Sequence, residues 1–421
     1  MEEKKGSPIT HLKKELKRKE FQFDSIYEFS ESIYSSFHVE SIIRIYFSTL
    51  MGQLGVFRIF FYDSENGLFY KRGFKFAADE EALFLKQIKH LNTRKNYLKK
   101  VDDLQPKLGE FKALLLDKKI QYLFNISESK SRSIVLGLSA KLNHQELSSE
   151  HIEYTYFVSK FAAGAIEHAV LVNRLIQTKR MEHEFEIARK IQLSLLPQAM
   201  PQLKNIDISV RYQPTFEVGG DYYDIMKERR GELPILIADV EGKGLPAALL
   251  AVSSQAVFRS LSELYYFEAG KFVAKANELI YDFTRGNRFI TLFWMLLNDA
   301  QRTLTYVNAG HIEPVWISGD TVRRLERGGI LTGFVHSADF ETETILLQPG
   351  DIVAAFTDGV PEVENKAGDQ FGVEPLIEFL KANRHLSAEQ LNTALYQAIH
   401  DFSQNQKFRD DFTLVLLKVR A

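Results

Sequence analysis

Carboxylates close apolar runs at widely separated places in this sequence. The run LPILIAD ends in Asp239 and the run DIVAAFTD ends in Asp358, each leading into a glycine-containing turn. Asp221 follows the pair Gly219-Gly220, and Asp410-Asp411 opens a last apolar run. A carboxylate buried alone costs several kcal/mol, so acids placed beside buried strands make physical sense if they converge on positive charge. Hard divalent cations such as Mg²⁺ or Mn²⁺ take oxygen ligands. The chain has no cysteine and no His-Glu-x-x-His run, which removes disulfide scaffolds, thiol proteases and cysteine-nucleophile phosphatases and makes zinc a poor fit. An all-oxygen site suits a binuclear hydrolase, in which two cations ~3.5–4 Å apart acidify water and stabilise in-line displacement. Taken singly these signals are weak, since Gly-Gly-Asp and Asp-Gly are ordinary turn sequences. It is the ordered set that carries the chemistry.

Those acids need elements to hold them. The chain has 421 residues, 45% hydrophobic and 26% charged; at ~150 residues per domain that bounds two or three folded domains. A formal net charge of −2 provides no global basic field for nucleic acid. No apolar run approaches the ~20 residues of a membrane span, and the polar tail 1–20 lacks a secretory core, so a cytoplasmic location is expected. Proline and glycine concentrate after Pro197. Strand-like runs there cover Ile206–Gln213, Tyr222–Lys227, Pro234–Asp239, Ile290–Asn298, Leu304–Asn308, Pro314–Ile317, Val322–Leu325, Thr342–Leu347, Ile352–Thr357 and Phe412–Val419. Helical stretches at Pro246–Phe267, Lys271–Arg285, Glu374–Ala382 and Ser387–Phe402 interrupt them. Tight turns between alternating strands favour an antiparallel two-sheet sandwich with outer helices over a βαβ repeat.

The first half reads as α+β. Helical spacing runs through Ile26, Phe29, Ile33 and Phe37, then Ile42, Ile45 and Leu50. An aromatic strand at Val56–Tyr62 turns at Asp63–Gly67 and returns through Leu68–Phe74, and Ser133–Ala140 is another strand. The basic stretch Lys86–Lys100 reads as a solvated face, lacking the aromatic interleaving of a nucleic-acid site. From Ile152 to Leu196 the sequence contains no proline and a single glycine, Gly164, and predicts one long helix. Its imperfect stripe of Phe161, Ala165, Val172, Ile176, Phe185, Ala188 and Leu195 suits a parallel coiled-coil homodimer; packing along its own protomer is the other solution.

Two resemblances follow from these residues. The segment SIVLGLSAKLNHQELSSEHIEYTYFVSKFAAGAIEHA (133–169), closing the region 21–172, resembles the end of a GAF-type sensory domain. The series VGGDYYD (218–224), ADVEGKGLPAALL (238–250), VNAGH (307–311), FTDGVPEVEN (356–365), Phe371-Gly372 and DDFTLVLL (410–417) resembles, in order, the PPM-type metal-dependent serine/threonine phosphatases, and within them the SpoIIE/RsbU-like branch. ARKIQLSLLPQAMP (188–201) resembles the helix entering that catalytic domain. The resemblance implies an α-β-β-α sandwich over 201–421, joined by a linker helix over 173–200 to the GAF-like domain.

It also implies roles. Asp239 would bridge two Mn²⁺ or Mg²⁺ ions, the Val240 carbonyl and Asp221 would serve the second, and Asp358 and Asp410 the first. Asp411 and Thr413 would shape the final turn and strand. Asn308 and His311 would either satisfy their turn or touch substrate. The reaction implied is direct hydrolysis of a phosphoserine or phosphothreonine, with a phosphorylated STAS-domain anti-sigma-factor antagonist as substrate in a partner-switching pathway. Two positions depart from the pattern: Glu241 replaces a small or hydroxyl residue, and GGILTGFVHSADF (328–340) is looser than the usual Pro-Leu-Gly stretch.

Other classes fare worse. Gly242-Lys243-Gly244 opens a G-x-G-x-x-A run, but Asp239 and Glu241 would repel a pyrophosphate. A Gly-Gly-Asp cyclase would leave Asp358 and Asp410 unexplained. A catalytically inactive phosphoprotein-binding module of the same fold would be marked by a lost acid, and none is lost.

Overall fold

The computed structural model describes residues 20, 24–33, 36–89, 91, 98–105, 108–127, 132–265 and 267–420. The polar tail, apart from Glu20, lies outside them, as does part of the Lys86–Lys100 stretch. The chain divides into two compact units, Met1–Arg180 and Met181–Ala421.

The first unit is built on a five-stranded antiparallel sheet in the order Leu68–Arg72, Ile59–Asp63, Ile134–Ser139, Ile120–Asn125, Leu98–Lys100. On one face, Ile42, Tyr46 and Leu50 of helix Val39–Leu54 pack with Val158, Ala162 and Ile166. On the other, Phe84 of helix Ala78–Ile88 and Phe111 of helix Gly109–Asp117 meet Phe60. Because both faces are covered, every residue of Ile59–Asp63 is buried, and Phe60 and Phe61 enter different cores. The anticipated hairpin closes at Asp63, whose buried carboxylate accepts from Arg132 Nη2 at 2.7 Å and Asn66 Nδ2 at 2.8 Å. The helices Ala78–Ile88 and Gly109–Asp117 and the strands Leu98–Lys100 and Ile120–Asn125 were not anticipated from the sequence. Two are short, and the helix Gly109–Asp117 offers only three buried positions.

Helix Ser149–Leu195 is unbroken over 47 residues, as the absence of proline predicts. Beyond the first unit's core, Leu171, Leu175, Ile176, Met181, Ile187 and Ile191 stand exposed along it. Among the described residues no helix is long and apolar enough to cross a membrane.

The second unit is a sandwich of two sheets. One runs in the order Gly328–Gly329, Thr303–Ala309, Ile290–Asn298, Glu232–Val240, Tyr222–Ile225, with Glu343–Leu346 also pairing on Thr303–Ala309. The other runs Thr321–Arg324, Val315–Ser318, Ile352–Phe356, Phe412–Val419, Ile206–Gln213. Apart from the two-residue pairing at Gly328, every pair is antiparallel. Alternation explains the layering: Val353, Ala355, Val415 and Leu417 face the other sheet, while Ala354, Phe356, Leu414 and Leu416 face helices Val373–Ala382 and Ala388–Phe402. Helices Leu245–Leu264 and Ala269–Thr284 cover the first sheet, where Phe258 and Phe272 reach Trp294. Mixed α/β content in α-β-β-α layers results.

The Phe272 ring stacks on fully buried Trp294 with centroids 3.6 Å apart. Truncating such a ring removes its burial and leaves a cavity, so Phe272→Ala is expected to destabilise this unit by about 3–5 kcal/mol. Both tryptophans, Trp294 and Trp316, lie in the second unit, so tryptophan fluorescence in urea reads it directly; an unmoved midpoint would contradict this packing.

Candidate active site

The strand registers bring the acids to one end of the sandwich. Tyr222 pairs with Ala238 and Ile225 with Ile235, so Asp221, one residue before its strand, arrives opposite Asp239 near the end of the neighbouring one. In the other sheet Phe356 pairs with Leu414, and Thr357 N donates to Thr413 O at 3.1 Å, which sets Asp358 beside the Asp410-Asp411 turn. Four acids far apart in sequence thus share one neighbourhood.

Their electrostatics show how closely. Burial, followed by the charges of Asp358, Asp410 and Asp411, pushes the Asp239 carboxyl up to about 7. Asp358 is raised by burial and by Asp410. Asp221 is raised well above the ordinary carboxylate range by burial first and by Asp239 and Asp411 next, against two hydroxyl donors. Opposing charge comes from Lys243, whose Nζ sits 2.5 Å from Asp410 Oδ2 and donates to the Arg409 carbonyl at 3.0 Å.

The backbone is held tightly around them. Asp411 Oδ2 accepts from the Gly220 amide at 2.6 Å and Oδ1 from the Thr215 amide at 2.7 Å, so Asp411 positions the Gly-Gly-Asp loop as well as the final turn. Asp221 Oδ2 accepts from Thr357 Oγ1 at 2.7 Å and from Thr413 Oγ1, tying an acid of one sheet to hydroxyls of the other. The Val240 carbonyl faces Gly220: a Cβ there would lie 3.3 Å from that oxygen and 3.1 Å from Ala247 Cβ. Gly359 is packed more tightly still, since a Cβ would stand 2.0 Å from the Asp411 carbonyl oxygen.

Among the described residues, no three carboxylate or imidazole side chains are gathered closely enough to hold an ion. The donor set nevertheless fits a hard divalent cation. It is all oxygen, it carries surplus negative charge, and its mutual repulsion is what a cation would relieve.

Two contributions escaped sequence reasoning. Gln192, buried near the end of the long helix, brackets Gly219: its Nε2 donates to Gly219 O at 2.8 Å and its Oε1 accepts from Gly219 N at 3.1 Å. Nearby, the Leu195 carbonyl accepts from Gln255 Nε2 at 2.7 Å and Arg259 Nη2 at 3.0 Å, with Arg259 also fixed on buried Asp224. An amide side chain on a charged helix carries no signal of such a clamp; its place within ARKIQLSLLPQAMP was the only hint. Lys243 was likewise read as part of a glycine turn.

Asn308 and His311 prove to be well-tied residues. Asn308 Oδ1 accepts from the His311 amide at 2.8 Å and its Nδ2 donates to Leu325 O at 3.1 Å. His311 Nδ1 pairs with Thr291 Oγ1 at 2.9 Å, while Nε2 is buried without a hydrogen bond. Thr291 lies opposite Asp239 in the sheet.

Two tests follow. Burial holds the His311 imidazole down at about 4, so the unfolded chain takes up this proton first as pH falls. The contribution of His311 to stability is therefore intact above the ordinary histidine value and is lost on acidification toward 4. Replacing it in His311→Gln is expected to remove roughly 2–3 kcal/mol of the stability loss between about pH 7 and 4.5, measured by urea unfolding at both values; an identical loss in wild type and variant would refute a neutral buried ring. Gly359→Ala must separate the Asp358 and Asp410 turns, and misplacement on that scale costs on the order of a hundredfold in kcat/KM; aryl phosphate turnover, with circular dichroism as the control for folding, checks it.

Comparison with known proteins agrees with this geometry. Residues 229–420 match the family model of Stage II sporulation protein E (SpoIIE). The chain is 31% identical over 258 residues to phosphoserine phosphatase RsbU of Bacillus subtilis (strain 168), covering 60% of this chain and 74% of RsbU. It is 26% identical over 194 residues to phosphoserine phosphatase RsbP of the same organism, covering 44% of this chain and 46% of RsbP. Its fold is similar to that of the SiaA-PP2C domain of Pseudomonas aeruginosa, with a TM-score of 0.52 at 20% identity, over 57% of this chain and 98% of that domain. Shared fold, ordered acidic motifs and an extended match to a named phosphoserine phosphatase lead to one conclusion: the chain belongs to the SpoIIE-type PPM phosphatases, a family of hydrolases, and is close to RsbU.

Proposed function

We propose that this chain is a divalent-cation-dependent phosphoserine/phosphothreonine protein phosphatase acting in a partner-switching pathway on a phosphorylated STAS-domain protein. The observation that carries the reading is the gathering of Asp221, Asp239, Asp358 and Asp410 at one end of the sandwich, where burial first, and then the charges of Asp358, Asp410 and Asp411, raise the Asp239 carboxyl to about 7. Asp239, Asp221, Asp358, Asp410 and the Val240 carbonyl are the groups that would hold two Mn²⁺ or Mg²⁺ ions. When bound, such ions supply acidified water and neutralise charge on the phosphoryl oxygens. The chain's own part is to fix the donors. Asp411 holds the Gly219-Gly220 backbone, Thr357 and Thr413 orient Asp221, and Gly359 lets the two acidic turns touch. The relatives' names as phosphoserine phosphatases support a protein phosphoester as substrate; the STAS assignment rests on the family resemblance.

The same reading takes residues 21–172 as a GAF-like sensory domain, 173–200 as a linker helix and 201–421 as the catalytic domain of a cytoplasmic signalling protein. The exposed series Leu171, Leu175, Ile176, Met181, Ile187 and Ile191 on an unbroken helix supports a homodimer formed through that helix, since apolar side chains left in water along a long helix gain from pairing.

Asp239→Asn is expected to abolish Mn²⁺-stimulated hydrolysis of an aryl phosphate and of a phosphoserine protein while leaving the fold intact by circular dichroism; full turnover in this variant would end the metal assignment. Replacing Leu175 and Ile187 together by glutamate is expected to shift the protein from dimer to monomer in sedimentation velocity. A dimer of unchanged affinity would remove the helix from the interface.

A further inference from the structure

Next to the acidic turn lies a cavity of about 250 Å³ that the phosphoester chemistry does not use. Its walls are Pro246, Leu249 and Leu250 of helix Leu245–Leu264 and Phe283 of helix Ala269–Thr284, and its rim carries Glu241 and Arg288. The position of that rim is fixed by the chain itself. Glu241 stands two residues after Asp239, and its amide donates to the Phe289 carbonyl at 3.2 Å, which holds the turn against the segment carrying Arg288. Arg288 reaches back over the turn: its Nη1 is 3.9 Å from Glu241 Oε2 and would be 3.4 Å from a Cβ on Gly242.

The walls are mainly apolar, with Ser253 and Thr284 also lining the space, and open to solvent. Leu249 is 61% exposed and Phe283 45%, values at which neither side chain contributes to the core of its own fold. At about 250 Å³ the space falls just below the ~300 Å³ where small-molecule sites begin. It suits one side chain of a larger ligand. The turn that borders the cavity also borders the acidic end: a Cβ on Gly220 would lie 3.1 Å from Ala247 Cβ and 3.5 Å from the Gly242 carbonyl oxygen, so a side chain seated against Pro246 adjoins the loop that bears Asp221.

We infer that this cavity is a specificity pocket that receives an apolar side chain directly flanking the phosphoserine of the protein substrate. The inference rests on the phosphoprotein phosphatase reading above and narrows its substrate class to phosphoserine with an aliphatic or aromatic neighbour. Glu241, the residue that departs from the family pattern, then has a place outside the acidic cluster: it lines the pocket and faces Arg288 at 3.9 Å.

The test uses the full-length protein with Mn²⁺, para-nitrophenyl phosphate and two synthetic phosphopeptides that differ only in the residues flanking phosphoserine, leucine on both sides in one and serine on both sides in the other. Filling an apolar pocket with leucine is worth about tenfold or more, so kcat/KM for the leucine peptide is expected to exceed that for the serine peptide by at least that factor. In Leu249→Ala and Phe283→Ala the ratio between the two peptides, read within each variant, should fall toward one. Equal kcat/KM for both peptides in the wild type would overturn the pocket, as would an undiminished ratio in both variants. Failure of the wild type to hydrolyse the aryl phosphate and both peptides would instead overturn the phosphatase reading on which the pocket rests.

Discussion

Everything at the acidic end of the sandwich answers to one electrostatic constraint: carboxylates from four places in the chain lie near one another, three of them largely buried. Burial, then the charges of Asp358, Asp410 and Asp411, bring Asp239 to about 7, and burial with neighbouring charge raises Asp221 and Asp358 as well. A fold accepts such crowding only where the backbone is fixed independently of the acids. Here that fixing is visible: the Gly219-Gly220 amides are occupied by Gln192 and Asp411, and Asp221 is spanned by hydroxyls from the opposite sheet.

The sandwich provides the stiffness this requires. Asp221 and Asp239 leave adjacent strands of one sheet, Asp358 and Asp410 adjacent strands of the other, and the inner core from Ile235 and Leu297 to Val415 and Leu417 joins the two sheets behind them. A shift of either sheet would move two acids together. The same logic gives meaning to the tight glycine contacts: at Gly359 the backbones approach more closely than a side chain allows, and at Gly220 a Cβ would press on Ala247 and the Val240 carbonyl. It also explains why the end of the long helix matters locally: its Leu195 carbonyl is held by Gln255 and Arg259, while Gln192 holds the loop that bears Asp221.

Much of the second unit was legible in sequence because its strands are long, apolar and punctuated by glycine and proline. All ten anticipated runs are strands, with ends moved by a few residues, and all four helices are present. The short Gly328–Gly329 pairing was invisible, since two glycines carry no periodicity. The first unit was harder. The aromatic strand at Val56–Tyr62 is present as Ile59–Asp63, but the region 78–125 holds short elements whose identity depends on the sheet they pack against. The basic residues Lys118 and Arg132 show the same limit. Each finds an acid, Glu80 and Asp63, 38 and 69 residues away in the chain.

For the site, sequence determined which residues carry charge, which chemistry their oxygens suit, and where the chain must turn, because those properties reside in residue type and local order. Tertiary structure decided what those residues do to each other. Only the registers of two sheets set Asp221 opposite Asp239 and Asp358 against Asp410, and only packing revealed Gln192, Asp411 and Lys243 as their partners. The reason is physical: a carboxylate's ionisation and orientation are set by the field and donors within a few ångströms, and those neighbours are supplied by segments that stand far away along the chain.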